Sequence, residues 1–108
     1  MDVRLKSFRA EALVAFDFLV DGGFLPNAAT EPAAGTRPMS VSVTFQGPRA
    51  RVETSLVLGH MGEEYVVTTI ETTDSRQGIE PAVAHKGHEM KKALSVQAAE
   101  VQRLLTTA

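Results

Sequence analysis

Hydrophobic residues recur every three or four positions over the first part of the chain, a spacing typical of an amphipathic helix. The stripe consists of Leu5, Phe8, Ala12, Phe16 and Leu19. This pattern predicts one helix from about residue 2 to about residue 21. Gly22 and Gly23 favour a left-handed turn at its end, and Phe24 is placed to fold back onto the helix in a Schellman motif.

The next regular pattern is an alternation of apolar and polar residues, which predicts strands. Before it lies PNAATEPAAGTRP, residues 26–38, which has neither a helical nor a strand period and is predicted to be a mobile loop. Residues 39–46 and 50–58 both alternate, and a Gly-Pro turn separates them. We therefore expect an antiparallel hairpin. Its inner face should carry Val41, Val43, Phe45, Val52, Leu56 and Leu58.

Two further elements complete the predicted fold. The β-branched run at 65–70 predicts a third strand, but its two faces are similarly apolar and its facing stays open. Beyond it, a helical stripe contains Val83, Met90, Leu94, Ala98, Val101 and Leu105. It predicts a C-terminal helix that begins at Pro81, with a break at Gly87 left open. The chain is thus predicted to be α+β, with an N-terminal helix, a three-stranded antiparallel meander and a C-terminal helix in one domain, residues 1–108.

Composition narrows the classes of function. A length of 108 residues suits one domain, and a formal net charge of −2 does not favour binding to nucleic acid or to an anionic membrane. The chain has no cysteine, which excludes disulfides and thiolate chemistry. The N-terminal pattern does not resemble a secretory signal, and no apolar run is long enough for a membrane span, so a cytoplasmic protein is expected.

The stretch AHKGHE contains two of the three histidines, His85 and His88, beside a glutamate. The histidines are three residues apart, whereas a zinc protease helix needs a spacing of four with the glutamate after the first histidine. On the predicted helix both face solvent beside lysines, which disfavours a dication. We therefore predict no metal and no cofactor. Whether His60, in a Gly-flanked turn, converges with these two is left open.

Catalytic motifs are not evident either. Asp17 and Asp21 are one helical turn apart but lie off the apolar stripe, as expected of a solvated surface. The chain contains neither a G-x-S-x-G elbow nor a phosphate-binding glycine loop. The main enzyme or ligand-binding alternative is a pocket between sheet and helices near Tyr65 and His60.

Surfaces suited to binding another chain are easier to find. Val14 and Phe18 lie opposite the main stripe of the first helix, so either the loop at 26–38 covers them or they form a partner-binding patch. Acidic residues around the third strand could form a rim that attracts a basic partner, namely Glu63, Glu64, Glu71 and Asp74. The third strand is also expected to have an open edge.

The segment FDFLVDGGF, residues 16–24, followed by a loop and a short β-meander, resembles small bacterial α+β proteins. Some of these are similar to immunity proteins of polymorphic-toxin systems. The resemblance implies a protein that covers the surface of a protein partner and performs no chemistry of its own. A homodimer or another homo-oligomeric structural subunit is the remaining alternative.

Overall fold

A computed structural model describes residues 3–27, 39–59 and 64–107 of the chain. It is an α+β fold with an antiparallel sheet, as expected, but the sheet has more strands than the three predicted. The elements in chain order are α1 (Val3–Ala15), α2 (Asp17–Asp21), β1 (Leu25–Pro26), β2 (Met39–Gln46), β3 (Ala50–Leu58), β4 (Glu64–Thr72), β5 (Arg76–Gly78), β6 (Ala82–Val83) and α3 (Gly87–Thr107).

The predicted N-terminal helix is divided at Phe16, which leaves the helical conformation with φ −102° and ψ 21°. The Leu19 amide donates to the Phe16 carbonyl at 2.9 Å, a three-residue bond that tightens the chain between α1 and α2. The Phe16 ring is fully buried, so the break still directs it into the core. Apolar periodicity predicted the buried face but not this break.

The end of α2 is the predicted Schellman motif. Gly23 has a φ of 96°, in the left-handed region that glycine adopts without a Cβ clash. The Phe24 amide donates to the Leu19 carbonyl at 2.9 Å, and the Gly23 amide donates to the Val20 carbonyl at 3.1 Å. The chain then turns back into β1, where Leu25 and Pro26 pair with Gln46 and Phe45 of β2. Pro26 therefore belongs to a strand, and residues 28–38 of the predicted loop lie outside the described residues.

The hairpin of β2 and β3 is confirmed in its bounds and facing, and the structure adds its register. Phe45 pairs with Val52 and Val41 pairs with Leu56, so the predicted inner residues share one face. All six are buried, from 0% to 3% exposed. The facing of β4 follows from its pairing with β3, because Val66, Thr68 and Ile70 lie opposite inner-face residues.

The edge of β4 is covered, contrary to the expectation of an open edge. β5 pairs with Thr69–Glu71 and β6 pairs with Tyr65 and Val66. Between the residues that pair with β5 and those that pair with β6, β4 has two residues, 67 and 68. The chain between β5 and β6 has three residues, 79–81. β5 and β6 therefore form one edge strand interrupted by a bulge of one extra residue. Pro81 lies in this bulge, where its missing N–H leaves no ladder bond unmade.

The C-terminal helix begins at Gly87, so the predicted start at Pro81 is wrong. The Glu89 carboxylate accepts a hydrogen bond from the Lys86 amide at 3.0 Å, the returning half of a capping box. Gly87 is thus the first helical residue and not an internal break. Val83, predicted on the helical stripe, lies in β6 instead. The rest of the stripe is confirmed, since Met90, Leu94, Ala98 and Val101 are buried and Leu105 is partly buried.

Both long helices lie on the inner face of the sheet. α1 contacts β2 and β3, whereas α3 contacts β4, β6 and α1. Phe8, Ala12 and Phe16 join the inner-face residues of the hairpin in one core cluster. Among the described residues, no helix covers the outer face, which carries the alternate side chains of each strand. In the described ranges the fold therefore has two layers, and we call the outer face of the sheet, which no described helix covers, the open face.

Candidate protein-binding surface

A row of apolar side chains crosses the open face at one end of the sheet. Val57 of β3 pairs with Tyr65 of β4, and Tyr65 pairs with Val83 of β6. Val67 lies two residues after Tyr65 on the same face. Val57, Tyr65 and Val67 are partly exposed, and Val83 is 57% exposed at the edge.

The apolar row continues around the edge strand to α3. A cleft between β6 and α3 is lined by Ala82, Val83, Ala93 and Val96. Val96 is 56% exposed, so a second exposed valine borders this cleft. We call Val57, Tyr65, Val67, Val83 and Val96 together the valine surface. It joins residues from three strands and one helix, and therefore exists only in the folded chain.

A buried glutamine holds α3 against the bulged strand beneath this surface. Gln97 is 1% exposed, and its Nε2 donates to the Val66 carbonyl at 2.7 Å and to the Glu80 carbonyl at 3.1 Å. Its Oε1 accepts a hydrogen bond from the Thr68 hydroxyl at 2.5 Å. The glutamine side chain thus satisfies one carbonyl within the bulge and one on β4 opposite it, where the regular ladder is interrupted.

The network extends one strand further, to Thr54 of β3. The hydroxyls of Thr54 and Thr68 are 2.9 Å apart, and both residues are fully buried. The Thr68 hydroxyl thus lies between the Thr54 hydroxyl and Gln97 Oε1 and joins β3 to the network. Within the described part of the chain, no buried side-chain nitrogen or oxygen lacks a hydrogen-bond partner. This network fixes the position of α3 and so the separation of Val83 and Val96.

The borders of the valine surface are charged. Near the start of α3 lie Lys86, His88 and Lys92, all exposed. Towards the end of the helix lies the ion pair of Glu100 and Arg103, in which Nε and Nη2 of the arginine donate to the two carboxylate oxygens. The hydrogen bond and the charge of Arg103 lower the pKa of Glu100 from its ordinary value. Carboxylates lie beside these charges at both ends, since Glu89 lines the cleft with Lys92, and Glu80 lies near Glu100.

Opposite charges face each other at the other end of the open face. Glu71 pairs in register with Arg51 on one side and with Arg76 on the other. Arg51 is also 3.5 Å from Glu53 on its own strand. Opposite charges on neighbouring strands stabilise the strand pairing and keep this end of the face hydrated. The two ends of the sheet thus differ in kind, and the apolar end is the one suited to binding.

The predicted partner-binding patch on the first helix is only partly exposed to solvent. Val14 is 75% exposed, as expected of a residue opposite the stripe. Phe18 is partly buried and packs against the core, with its ring centroid 6.1 Å from that of Phe16. Whether Val14 and Phe18 bind a partner remains a prediction.

The predicted acidic rim is spread along β4. Glu64 and Glu71 lie at opposite ends of the strand, about 23 Å apart at the usual rise per residue. Asp74 follows β4 in the turn to β5, near Glu71, and Glu63 lies outside the described residues. Glu64 is paired with His85, and Glu71 lies between arginines. These carboxylates therefore do not form one continuous rim.

The histidines occupy different surroundings. His85 Nδ1 is 2.9 Å from Glu64 Oε1, so its side chain is held at the end of β4 before α3 begins. His88 is exposed in the first turn of α3, and His60 lies outside the described residues. Over the described ranges, no group of three or more histidine and acidic side chains could hold a metal ion. Helical periodicity missed the His85 contact because His85 precedes α3 and its partner, Glu64, lies at the start of β4.

Replacing both His85 and His88 by alanine should change the free energy of unfolding by less than about 1 kcal/mol, since exposed ion pairs contribute little. Denaturant unfolding of the double variant would check this value. The single His88→Ala variant is the control, because it keeps the pair of His85 with Glu64. A loss of several kcal/mol would mean that the histidines hold a structural site.

Sequence reasoning placed none of the five residues of the valine surface in a partner-binding site. Val83 was assigned to the buried stripe of a helix that in fact starts four residues later. Val96 lies off that stripe, and an isolated apolar residue on a helix surface is common. Pro81 could have indicated the edge strand at Val83, because proline suits an edge strand as well as a first helical position.

No protein-family profile matches this chain, and comparisons with curated proteins and with solved structures find no significant similarity. Among the described helices, none is long and apolar enough to cross a membrane.

Proposed function

We propose that this protein binds a protein partner through the valine surface and thereby masks part of that partner. The observation that carries the proposal is the in-register row Val57, Tyr65 and Val83, which continues across the cleft to Val96. A cytoplasmic, immunity-type role is the specific form that we favour. In this role the chain acts by occupying a surface and needs no reacting group.

Several physical features support binding at this place. Scattered exposed apolar residues are normal, but a contiguous set marks an interaction surface more often. Tyr65 is the only tyrosine of the chain, and tyrosine is enriched among the residues that dominate binding energy. The underlying strands and the Gln97 network hold the surface in one shape, so little conformational entropy is lost on binding.

The double substitution Val83→Asp with Val96→Asp should weaken capture of the native partner by at least about tenfold, because it places two charges in a desolvated contact. Both positions are more than half exposed, so the thermal midpoint should change little. The measurement is quantitative capture by the tagged protein from extracts of its own host, with unfolding recorded in parallel.

Val14→Asp is the matched comparison, since Val14 is 75% exposed on a different surface. It should leave capture unchanged. If Val14→Asp abolishes capture while the double variant retains it, the partner binds the flank of the first helix and the proposal is wrong.

A further inference from the structure

We infer that the open face packs against the open face of a second copy of this chain, about a two-fold axis that runs along the strands between β3 and β4. The inference goes beyond the proposed function and does not depend on it, since it states what covers this face while no other partner is bound. It is carried by two rows of residues, one at each end of the face, which match themselves when their order is reversed.

The first row lies at the apolar end of the face and takes one residue from each of four neighbouring strands. It consists of Ser40, Val57, Tyr65 and Val83. A two-fold axis that lies between the two sheets and parallel to the strands reverses this order in the second copy. Because the axis passes between β3 and β4, Val57 of each copy lies opposite Tyr65 of the other. This end of the interface therefore has an apolar centre made of two identical contacts.

The second row lies at the charged end and follows the same order of strands. It consists of Gln46, Arg51, Glu71 and Arg76. The same axis places Arg51 of each copy opposite Glu71 of the other, and Arg76 opposite Gln46. Opposite charges thus face each other twice, and like charges do not lie opposite each other in this row. Complementary charges of this kind fix the alignment of two surfaces.

A two-fold axis perpendicular to the strands would not match the rows. It would exchange the two ends of the face, so that Val57 lies opposite Arg51 and Tyr65 lies opposite Glu71. Each copy would then remove charges from water against apolar side chains without giving them a partner, which is costly. The register of the sheet therefore favours the axis along the strands, and aligned sheets are a common packing arrangement.

The middle of the face carries small side chains, among them Ser42, Ser55 and Thr69. These side chains do not hold two sheets apart, so the larger Val57 and Tyr65 can meet. The hydroxyls of Ser42 and Ser55 are 2.7 Å apart and already form a hydrogen bond with each other. Covering them therefore removes fewer hydrogen bonds to water than covering two unpaired hydroxyls would.

The size of the face predicts a weak dimer. From Arg51 to Val57 the face is about 23 Å long at the usual rise per residue, and four strands are about 19 Å wide. Two copies would bury roughly 900 Å² in total, whereas stable complexes usually bury about 1,200 Å² or more. We therefore expect a dimer that forms at high protein concentration and dissociates on dilution.

The first test is sedimentation equilibrium of the full chain at concentrations from about 10 μM to about 1 mM, the range expected for a small interface. Val57→Asp should raise the dissociation constant of the dimer at least about tenfold, because it places a charge in the apolar centre. Val96→Asp is the matched control, since it makes the same change on α3, outside the open face. It should leave the dissociation constant unchanged.

The second test uses two charge variants, Arg51→Glu and Glu71→Arg. Each variant alone places like charges opposite each other across the axis and should dimerise at least about tenfold more weakly than the unchanged chain. An equal mixture of the two should form a heterodimer about as readily as the unchanged chain, because every contact across the axis again joins opposite charges. Within each chain the neighbouring strands still carry like charges, so recovery on mixing can come only from the contact between copies.

The outcomes are decisive in both directions. A chain that stays monomeric up to about 1 mM overturns the inference, and so does a dimer that does not respond to Val57→Asp, because it would use another surface. If Val57→Asp does not fold by circular dichroism, the mixing experiment decides alone. A mixture that dimerises no better than its two components also overturns the inference.

The same variants separate this inference from the proposed function. Val96→Asp combined with Val83→Asp tests capture of a host partner, whereas the dimer is measured in purified protein. Capture by a chain that is always monomeric would refute the inference and leave the proposed function intact. A dimer with the expected response to mixing, in a chain that captures no host protein, would refute the proposed function and leave the inference intact.

Discussion

Phe45→Ala should lower the free energy of unfolding by about 3 to 5 kcal/mol, the usual range for removing a phenylalanine from a core. The Phe45 side chain is fully buried on the inner face of β2, and its ring centroid lies 5.5 Å from that of Phe16. The substitution removes the contact between the hairpin and the end of α1 and leaves a cavity. Denaturant unfolding followed by circular dichroism would measure the loss.

Thr44→Ala is the neighbouring control for this prediction. Thr44 is partly exposed, and its side chain lies on the outer face because strand neighbours point to opposite sides. Its loss should cost less than about 1 kcal/mol, as for most surface substitutions. Similar losses at the two positions would contradict the facing of the hairpin.

Gln97→Leu should destabilise the protein by about 2 to 4 kcal/mol, although leucine is apolar and of similar size, because three polar groups lose their partner at once. A buried polar group left without its partner costs about 1 to 3 kcal/mol. This substitution leaves the carbonyls of Val66 and Glu80 without the glutamine amide, and Thr68 without its acceptor. Because Gln97 bridges the bulge, β6 and the start of α3 should also lose protection from hydrogen exchange.

Gln102→Leu is the same chemical change at an exposed position on α3. It should alter stability by about 0.5 kcal/mol or less. If Gln97→Leu is as mild as Gln102→Leu, the buried network does not hold α3 in place. In that case the spacing of Val83 and Val96 would depend on apolar packing alone.

The elements with long and regular patterns could be predicted from the sequence. The alternation in 39–46 and 50–58 predicted the hairpin and its buried face because a half-buried strand has only one arrangement that hides its apolar residues. The stripe of α3 from Met90 to Val101 was equally clear. The Schellman end was predictable because Gly23 is suited to the positive φ that the turn requires.

The edge strand could not be predicted in this way. β5 has three residues and β6 has two, which is too short for a period to be recognised. The apolar residues Val83 and Met90 are seven positions apart and therefore fit one helical face by spacing alone. Pairing with β4 decided between strand and helix, and this pairing is a contact between distant parts of the chain.

The candidate binding surface depends even more on tertiary structure. The sequence by itself determined which residues are apolar, which strands alternate, and that no recognisable catalytic motif is present. Only the tertiary structure decided that Val57, Tyr65 and Val83 form one row, and that Val96 lies across a cleft from its end. Local periodicity follows from the geometry of one helix or strand. The valine surface follows instead from strand register, from the bulge at 79–81 and from the hydrogen bonds of Gln97, which join residues far apart in the chain.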